Sequence, residues 1–141
     1  MKYLFNSIVL LCSFLCQAQQ TVLTCLDFKE GSFIIPMENG IPFETLIIRQ
    51  GKEQREIVEY NGKTSEVIVE VVWISDCSYD LKYKSSYNDP DFIRNDDSFK
   101  VTTVHVEITK IEDNCASIIA KTTVEGKLVK MPGRICKEEL L

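Results

Sequence analysis

The stretch Glu66-Val67-Ile68-Val69-Glu70-Val71-Val72-Trp73-Ile74 decides the fold. Side chains alternate across a strand with a period of two. Val67, Val69, Val71 and Trp73 therefore share one face, while Glu66, Ile68, Glu70, Val72 and Ile74 share the other. The first face is wholly apolar and predicts a strand that points its valines and tryptophan into a core. The second face turns apolar towards Ile74, which predicts that this end is covered too.

Upstream lies Asn61-Gly62, preceded by the extended run Glu53 to Tyr60. Asn-Gly between two such runs signals a hairpin, because both residues tolerate the positive φ of a type I′ turn. Earlier still come Phe43 to Arg49, ending at Gln50-Gly51, the turn signal Asn39-Gly40, and a short apolar run from Ser32 to Pro36. Residues 21–30, with Cys25 and Phe28, fit no single element. Downstream, Asp76 to Ser78 breaks the strand, and Tyr79, Leu81 and Tyr83 then alternate with Asp80, Lys82 and Lys84. Residues 85–98 read as a polar loop. Alternation returns from Phe99: Val104, Val106 and Ile108 share a face opposite Thr103, His105 and Glu107. Cys115 to Val124 and Lys127 to Cys136 flank Glu125-Gly126. About eight short strands in succession, with no convincing helix among them, predict an all-β antiparallel meander. Closure into a lipocalin-like barrel would remove its edges. A strongly twisted open sheet or a sandwich competes.

The first residues carry a positive start at Lys2, a short apolar run from Ile8 to Cys16, and Ala18 before Gln19. These are the parts of a secretory signal peptide over residues 1–18, which leaves a single β domain over residues 19–141. Leu11 and Leu15 precede Cys12 and Cys16, where a lipid-anchor motif wants small residues. The leader is too short to span a bilayer, which takes about 20 apolar residues, and no later stretch comes close. Removing it leaves 15 basic against 21 acidic residues, a net charge of −6. Without a basic cluster there is no footprint for nucleic acid or for an anionic lipid surface. An exported protein, periplasmic or extracellular, is the expectation.

Four cysteines remain: Cys25, Cys77, Cys115 and Cys136. In an exported chain an even count reads as two disulfides, with three possible connectivities. If Glu125 and Gly126 are the two turn residues, paired positions of the last hairpin sum to 251. Cys115 and Cys136 then face each other in a non-hydrogen-bonded pair, where side chains come closest. Cys25–Cys77 follows as the second bridge. Pro132-Gly133 is the place where that register would slip. Zinc sites lean on closely spaced Cys and His pairs. The chain has no C-x-x-C and a single histidine, His105, so it calls for neither a metal nor a cofactor.

Three local patterns resemble a family of small exported proteins of flavobacteria and related Bacteroidetes. They are C-x-x-F-K-x-G-x-F (Cys25, Phe28, Lys29, Gly31, Phe33), R-x-x-x-x-Q-x-E (Arg49, Gln54, Glu56) and W-x-x-D-C-x-Y-x-L-x-Y (Trp73, Asp76, Cys77, Tyr79, Leu81, Tyr83). The resemblance covers the first half of the mature domain. It implies a lipocalin-sized β domain and transfers no catalytic residue. Members of that family often carry the label DNA topoisomerase IV, which does not suit a short, acidic, exported chain.

The candidate chemistry is sparse. Any histidine-based catalysis must use His105, which otherwise reads as a solvent-facing strand residue. Cys77 beside Asp76 and Tyr79 lacks the positive surroundings of a reactive thiol, so a bridged cysteine with Asp76 capping a turn is the plainer reading. Asp89, Asp91, Asp96 and Asp97 could gather calcium, but without the glycine and terminal glutamate of an EF-hand they read as a solvated loop. Arg49 and Glu56 sit on opposite arms of a hairpin turning near Gly51 and Lys52. They could form a cross-strand ion pair or, with Gln54, orient a ligand in a barrel mouth. Trp73, Tyr79 and Tyr83 read either as core aromatics or as cavity wall. These six residues, Arg49, Gln54, Glu56, Trp73, Tyr79 and Tyr83, are the candidate ligand site. The expected function is non-catalytic binding of a small apolar ligand. The alternative is an envelope protein-interaction or inhibitor-like module with a solid core.

Overall fold

Eight strands follow one another through the computed structural model, which describes residues 22–37, 43–88 and 102–138. They are β1 (Gly31–Ile35), β2 (Thr45–Gln50), β3 (Glu53–Tyr60), β4 (Lys63–Trp73), β5 (Ser78–Tyr87), β6 (Val104–Glu112), β7 (Cys115–Val124) and β8 (Lys127–Lys137). Each pairs antiparallel with the next, and β1 pairs with β8, so the meander closes into a barrel rather than an open sheet or a sandwich. The Asn39-Gly40 turn signal and the four aspartates from Asp89 to Asp97 lie outside the described residues.

The turns form where the backbone can take positive φ. Asn61 and Gly62 have φ of 51° and 70°, and Glu125 and Gly126 have 48° and 77°. Two successive left-handed residues suit the right-handed twist of the strands they join. The last hairpin keeps its register unbroken from Val124↔Lys127 to Cys115↔Cys136. Pro132 does not disturb it. It faces Ile119 in a non-hydrogen-bonded pair, so its nitrogen points away from β7 and no ladder bond is lost.

Three features differ from the sequence reading. Residues 85–87 belong to β5, not to a loop: past a bulge in its pairing with β4, Ser85, Ser86 and Tyr87 still pair with Ile68, Val67 and Glu66. Ile74 is 59% exposed rather than covered. β4 ends at Trp73, and Ile74 enters a turn in which its N–H and that of Ser75 both reach the Ser78 carbonyl. Residues Cys25–Phe28, left without an element, form one 3₁₀ turn. Asp27 accepts from the backbone N–H and the hydroxyl of Thr24, and these donors hold its carboxyl below the usual carboxylate range.

That 3₁₀ turn closes one end of the barrel. Phe28 is fully buried and stacks on Phe33 with ring centroids 5.7 Å apart. Ile47, Ile108, Ala116 and Ile135 complete this core, and Trp73 joins it to a second cluster of Val71, Tyr79 and Val106. The β2–β3, β4–β5 and β6–β7 turns lie at this closed end; the β3–β4 and β7–β8 turns lie at the other. Two seams shorten towards that opposite end. β1 meets β8 only at Phe33↔Lys137 and Ile34↔Cys136, and β5 meets β6 only from Ser78 to Leu81. Among the described residues, Lys84–Tyr87 and Lys127–Gly133 have no ladder partner on those sides. The outer face is charged, with Arg55 bonded to Glu66 and Lys121 to Glu107, while the inner face is largely apolar. A lipid-embedded barrel has the reverse arrangement. No helix among the described residues is long and apolar enough to cross a membrane.

Both disulfides are formed, Cys25–Cys77 and Cys115–Cys136. The first spans 52 residues and clamps the 3₁₀ turn to the β4–β5 turn; the second spans 21 residues within one hairpin. Loop-closure entropy therefore ranks them. Replacing Cys25 and Cys77 by alanine should cost about 4 kcal/mol, and replacing Cys115 and Cys136 about 3 kcal/mol. Denaturant unfolding of the two double variants measures both values and their order.

Candidate functional site

The register assembles a polar stripe on the inner wall of β2, β3, β4 and β5. Nearest the closed end, Arg49, Gln54, Val69 and Tyr83 lie in one transverse row. Ile47, Glu56, Val67 and Ser86 form the next, and Thr45, Val58 and Ser65 the third. Strict alternation puts these residues inside. Thr45, Ile47 and Arg49 are buried on β2, and Ser65, Val67, Val69 and Val71 on β4.

Arg49 is the centre of the first row. It is 3% exposed, a burial that an arginine sustains only with its donors satisfied. Its Nε donates to Gln54 Oε1 at 2.5 Å, Nη1 to the Phe28 carbonyl at 2.7 Å, and Nη2 to Tyr79 Oη at 2.5 Å. The guanidinium also lies 4.3 Å from the Tyr79 ring centroid and 5.4 Å from that of Phe33, which adds cation–π attraction. Gln54, 1% exposed, passes the connection on: its Nε2 donates to Glu56 Oε1 at 2.7 Å. The cross-strand pair expected of Arg49 and Glu56 thus runs through Gln54. The hairpin turns at Gly51 and Lys52, so Gln54 rather than Glu56 faces Arg49.

Trp73 sits beside this group, its ring 4.6 Å from that of Tyr79 and 5.8 Å from the Arg49 guanidinium. Lys29 caps it from below, 5.2 Å from the indole centroid, while pairing with Asp76 at 3.0 Å. Asp76 therefore holds Lys29 rather than capping the turn; the Ser75 hydroxyl accepts the Cys77 N–H in that role. Five of the six candidate residues, Arg49, Gln54, Glu56, Trp73 and Tyr79, are thus brought together. Tyr83 shares the row of Arg49 but turns its hydroxyl away from it, to 2.9 Å from that of Ser86 in the next row.

His105 lies on the outer face, with Nδ1 2.8 Å from Asp80 Oδ1 across the β5–β6 ladder. It shares no face with the interior stripe. Thr45 and Ser65 were overlooked in the sequence, although each keeps the inward phase of its strand. A small hydroxyl residue in an apolar phase was the available signal.

On the opposite wall the inner face is mostly apolar, with Val104, Ala120, Val129 and Met131 beside Thr122. Ala120 faces Met131, and Thr122 faces Val129. Val129 and Met131 are 37% and 45% exposed, although they share the face of Ile135, which is 1% exposed. The fold and the site together define a closed antiparallel β-barrel, disulfide-bonded and plugged at one end, with a polar stripe rising inside it. Comparison with protein-family models, with curated proteins and with solved structures returned no match.

The closed end is held by mutual bonds, and its variants should report on stability. Arg49→Met keeps much of the volume but strands Gln54, Tyr79 and the Phe28 carbonyl. It should cost about 3–5 kcal/mol, with Arg49→Lys recovering only part because one ammonium cannot reach three acceptors; thermal and denaturant melts test both. Tyr79 adds a pH signature. Burial raises its pKa above the ordinary 10.0, against the opposing pull of Arg49. A raised folded-state value means that the contribution to stability is complete below about pH 10 and is lost as pH rises through the folded value. The Tyr79 phenolate should therefore appear in an absorbance titration only together with unfolding. Tyr79→Phe should lose stability less steeply above pH 10 than the parent.

Proposed function

We propose that this chain is an exported, non-catalytic carrier that holds a small, largely apolar ligand at the end of the barrel opposite the 3₁₀ plug. One observation carries the reading. Met131 and Val129 belong by register to the inner face, yet remain 45% and 37% exposed. Apolar side chains that line a barrel end and stay accessible are suited to cover a ligand's apolar surface. The closed end is no competitor, because Phe28, Phe33, Ile135 and the bonded Arg49 group fill it. Of the six candidate residues, Glu56 and Tyr83 then lie towards the ligand. Arg49, Gln54, Trp73 and Tyr79 form the floor that supports it. Export agrees with the signal-like residues 1–18 and with two disulfides, which persist in oxidising compartments. Membership of the small flavobacterial exported family belongs to the same reading.

On β8, Lys127–Gly133 has no rung to β1 among the described residues, which favours a second reading, a partner protein adding a strand there. Pro132 lacks the outward N–H there, which interrupts such a ladder midway and weighs against it.

Native mass spectrometry of the protein recovered from its own exporting host tests the carrier reading. The native mass should exceed the denatured mass by a discrete increment, and the denatured mass should correspond to a chain beginning at Gln19 with two disulfides. A bare mass with both bridges formed would remove the carrier reading and leave the protein-partner one.

A further inference from the structure

Two hydroxyls in the third interior row are buried without a use. Thr45 and Ser65 are 8% and 6% exposed. Each faces Val58 across its own ladder, so they flank one valine on the inner wall. Neither side chain has a hydrogen-bond partner among the described residues. A buried hydroxyl without a partner forfeits the hydrogen bonds it makes in water and destabilises the fold relative to a satisfied one. Valine or alanine would fill the same places at no such cost, and β4 otherwise fills its inner face with Val67, Val69 and Val71. Next to this row stands Glu56, one strand position pair closer to the plug and bonded to Gln54.

The chemistry of a partner for such a row is narrow. It must both donate and accept hydrogen bonds, as Thr45 and Ser65 themselves do. It must tolerate a carboxylate in the adjacent row, which disfavours an anionic group at that depth. It must also carry apolar surface for Val58 and for Val129 and Met131 on the facing wall. We infer that Thr45 and Ser65 form a head-group subsite, and that the ligand is an amphiphile with a neutral, hydroxyl-bearing head and an aliphatic body. This inference rests on the carrier reading and specifies its ligand class.

The test uses the mature, disulfide-bonded protein and two probes with the same lauroyl tail. One is monolauroylglycerol, with a neutral diol head; the other is laurate, with an anionic one. Binding is followed by titration calorimetry below the micellar concentration of each. The parent should bind monolauroylglycerol roughly tenfold or more tightly than laurate. The double variant Thr45→Val with Ser65→Ala should lose that preference, again by roughly tenfold. Its melting temperature without ligand should be equal to or above the parent's, because no internal hydrogen bond is removed. A drop in melting temperature would assign the hydroxyls a structural partner and overturn the inference. The single variant Ser65→Ala provides the same comparison should the double variant fold poorly. Equal binding of both probes, or a preference that survives the substitutions, overturns the head-group subsite while leaving the carrier reading intact. If neither probe binds, this ligand class is overturned; a bare native mass would then remove the carrier reading as well.

Discussion

The fold depends on one guanidinium. Arg49 is buried where water cannot solvate it, and the cost of that burial is offset only if its donors meet acceptors in fixed positions. Those acceptors come from three separate places: the Phe28 carbonyl in the 3₁₀ turn, Gln54 on β3 and Tyr79 on β5. The charge therefore does what an apolar side chain in the same place would not do. It dictates where the plug sits, because the carbonyl of Phe28 must present itself to Nη1. The Phe28 ring is then stacked on Phe33, and the Cys25–Cys77 bridge fixes the same turn from its other end. A plug held by apolar contact alone could slide over the barrel floor; one held by a directed bond cannot.

This constraint explains why the two ends of the barrel differ. Towards the plug both seams are laddered: β1 reaches β8 at Phe33 and Ile34, and β5 reaches β6 from Ser78 to Leu81. Beyond it the seams end while the strands run on. The interior changes with the ladders, from large aromatics at the plug to valines, hydroxyls and a carboxylate above. A barrel of eight strands has just enough interior for side chains to fill. Phe28, Phe33, Trp73 and Tyr79 fill one half of that interior, while the smaller Thr45, Ser65 and Val58 line the other.

Much of this was legible in the residues, and the reason is local. The alternation from Glu66 to Ile74, the Asn61-Gly62 turn and the sum rule that pairs Cys115 with Cys136 all depend on neighbours a few positions away, where period and turn chemistry act directly. Pro132 was the doubtful point of that register. It proved harmless because a two-residue turn at Glu125-Gly126 puts position 132 in a non-hydrogen-bonded pair, a consequence that counting from the turn already contains. What could not be read were the long-range facts. The one local sign of the 3₁₀ turn is Thr24 three residues before Asp27; the bond that anchors the turn reaches from Phe28 to Arg49, 21 residues on. Nothing near Ser85 shows that β5 continues, because the partner is Ile68 across a bulge. Hydrogen bonds do link the three residues of R-x-x-x-x-Q-x-E. Arg49 meets Glu56 only through Gln54, because a turn at Gly51-Lys52 puts Gln54 opposite Arg49 and leaves Glu56 two positions further on.

The interior stripe then has two halves with opposite logic. Arg49, Gln54 and Tyr79 are polar groups that satisfy one another, and such a network rigidifies its surroundings. Thr45 and Ser65 are polar groups that satisfy nothing among the described residues, so there they add cost without adding rigidity. Within a single wall, on adjacent rows of the same strands, both patterns occur. Packing alone gives no reason for the second, since the inner faces of β2 and β4 accept Ile47 and Val67 directly beside it. A requirement to meet something other than the chain itself does give a reason. On the carrier reading proposed above, the row of Thr45 and Ser65, rather than the charged one that first draws notice in the sequence, is the part of the interior that would meet the ligand.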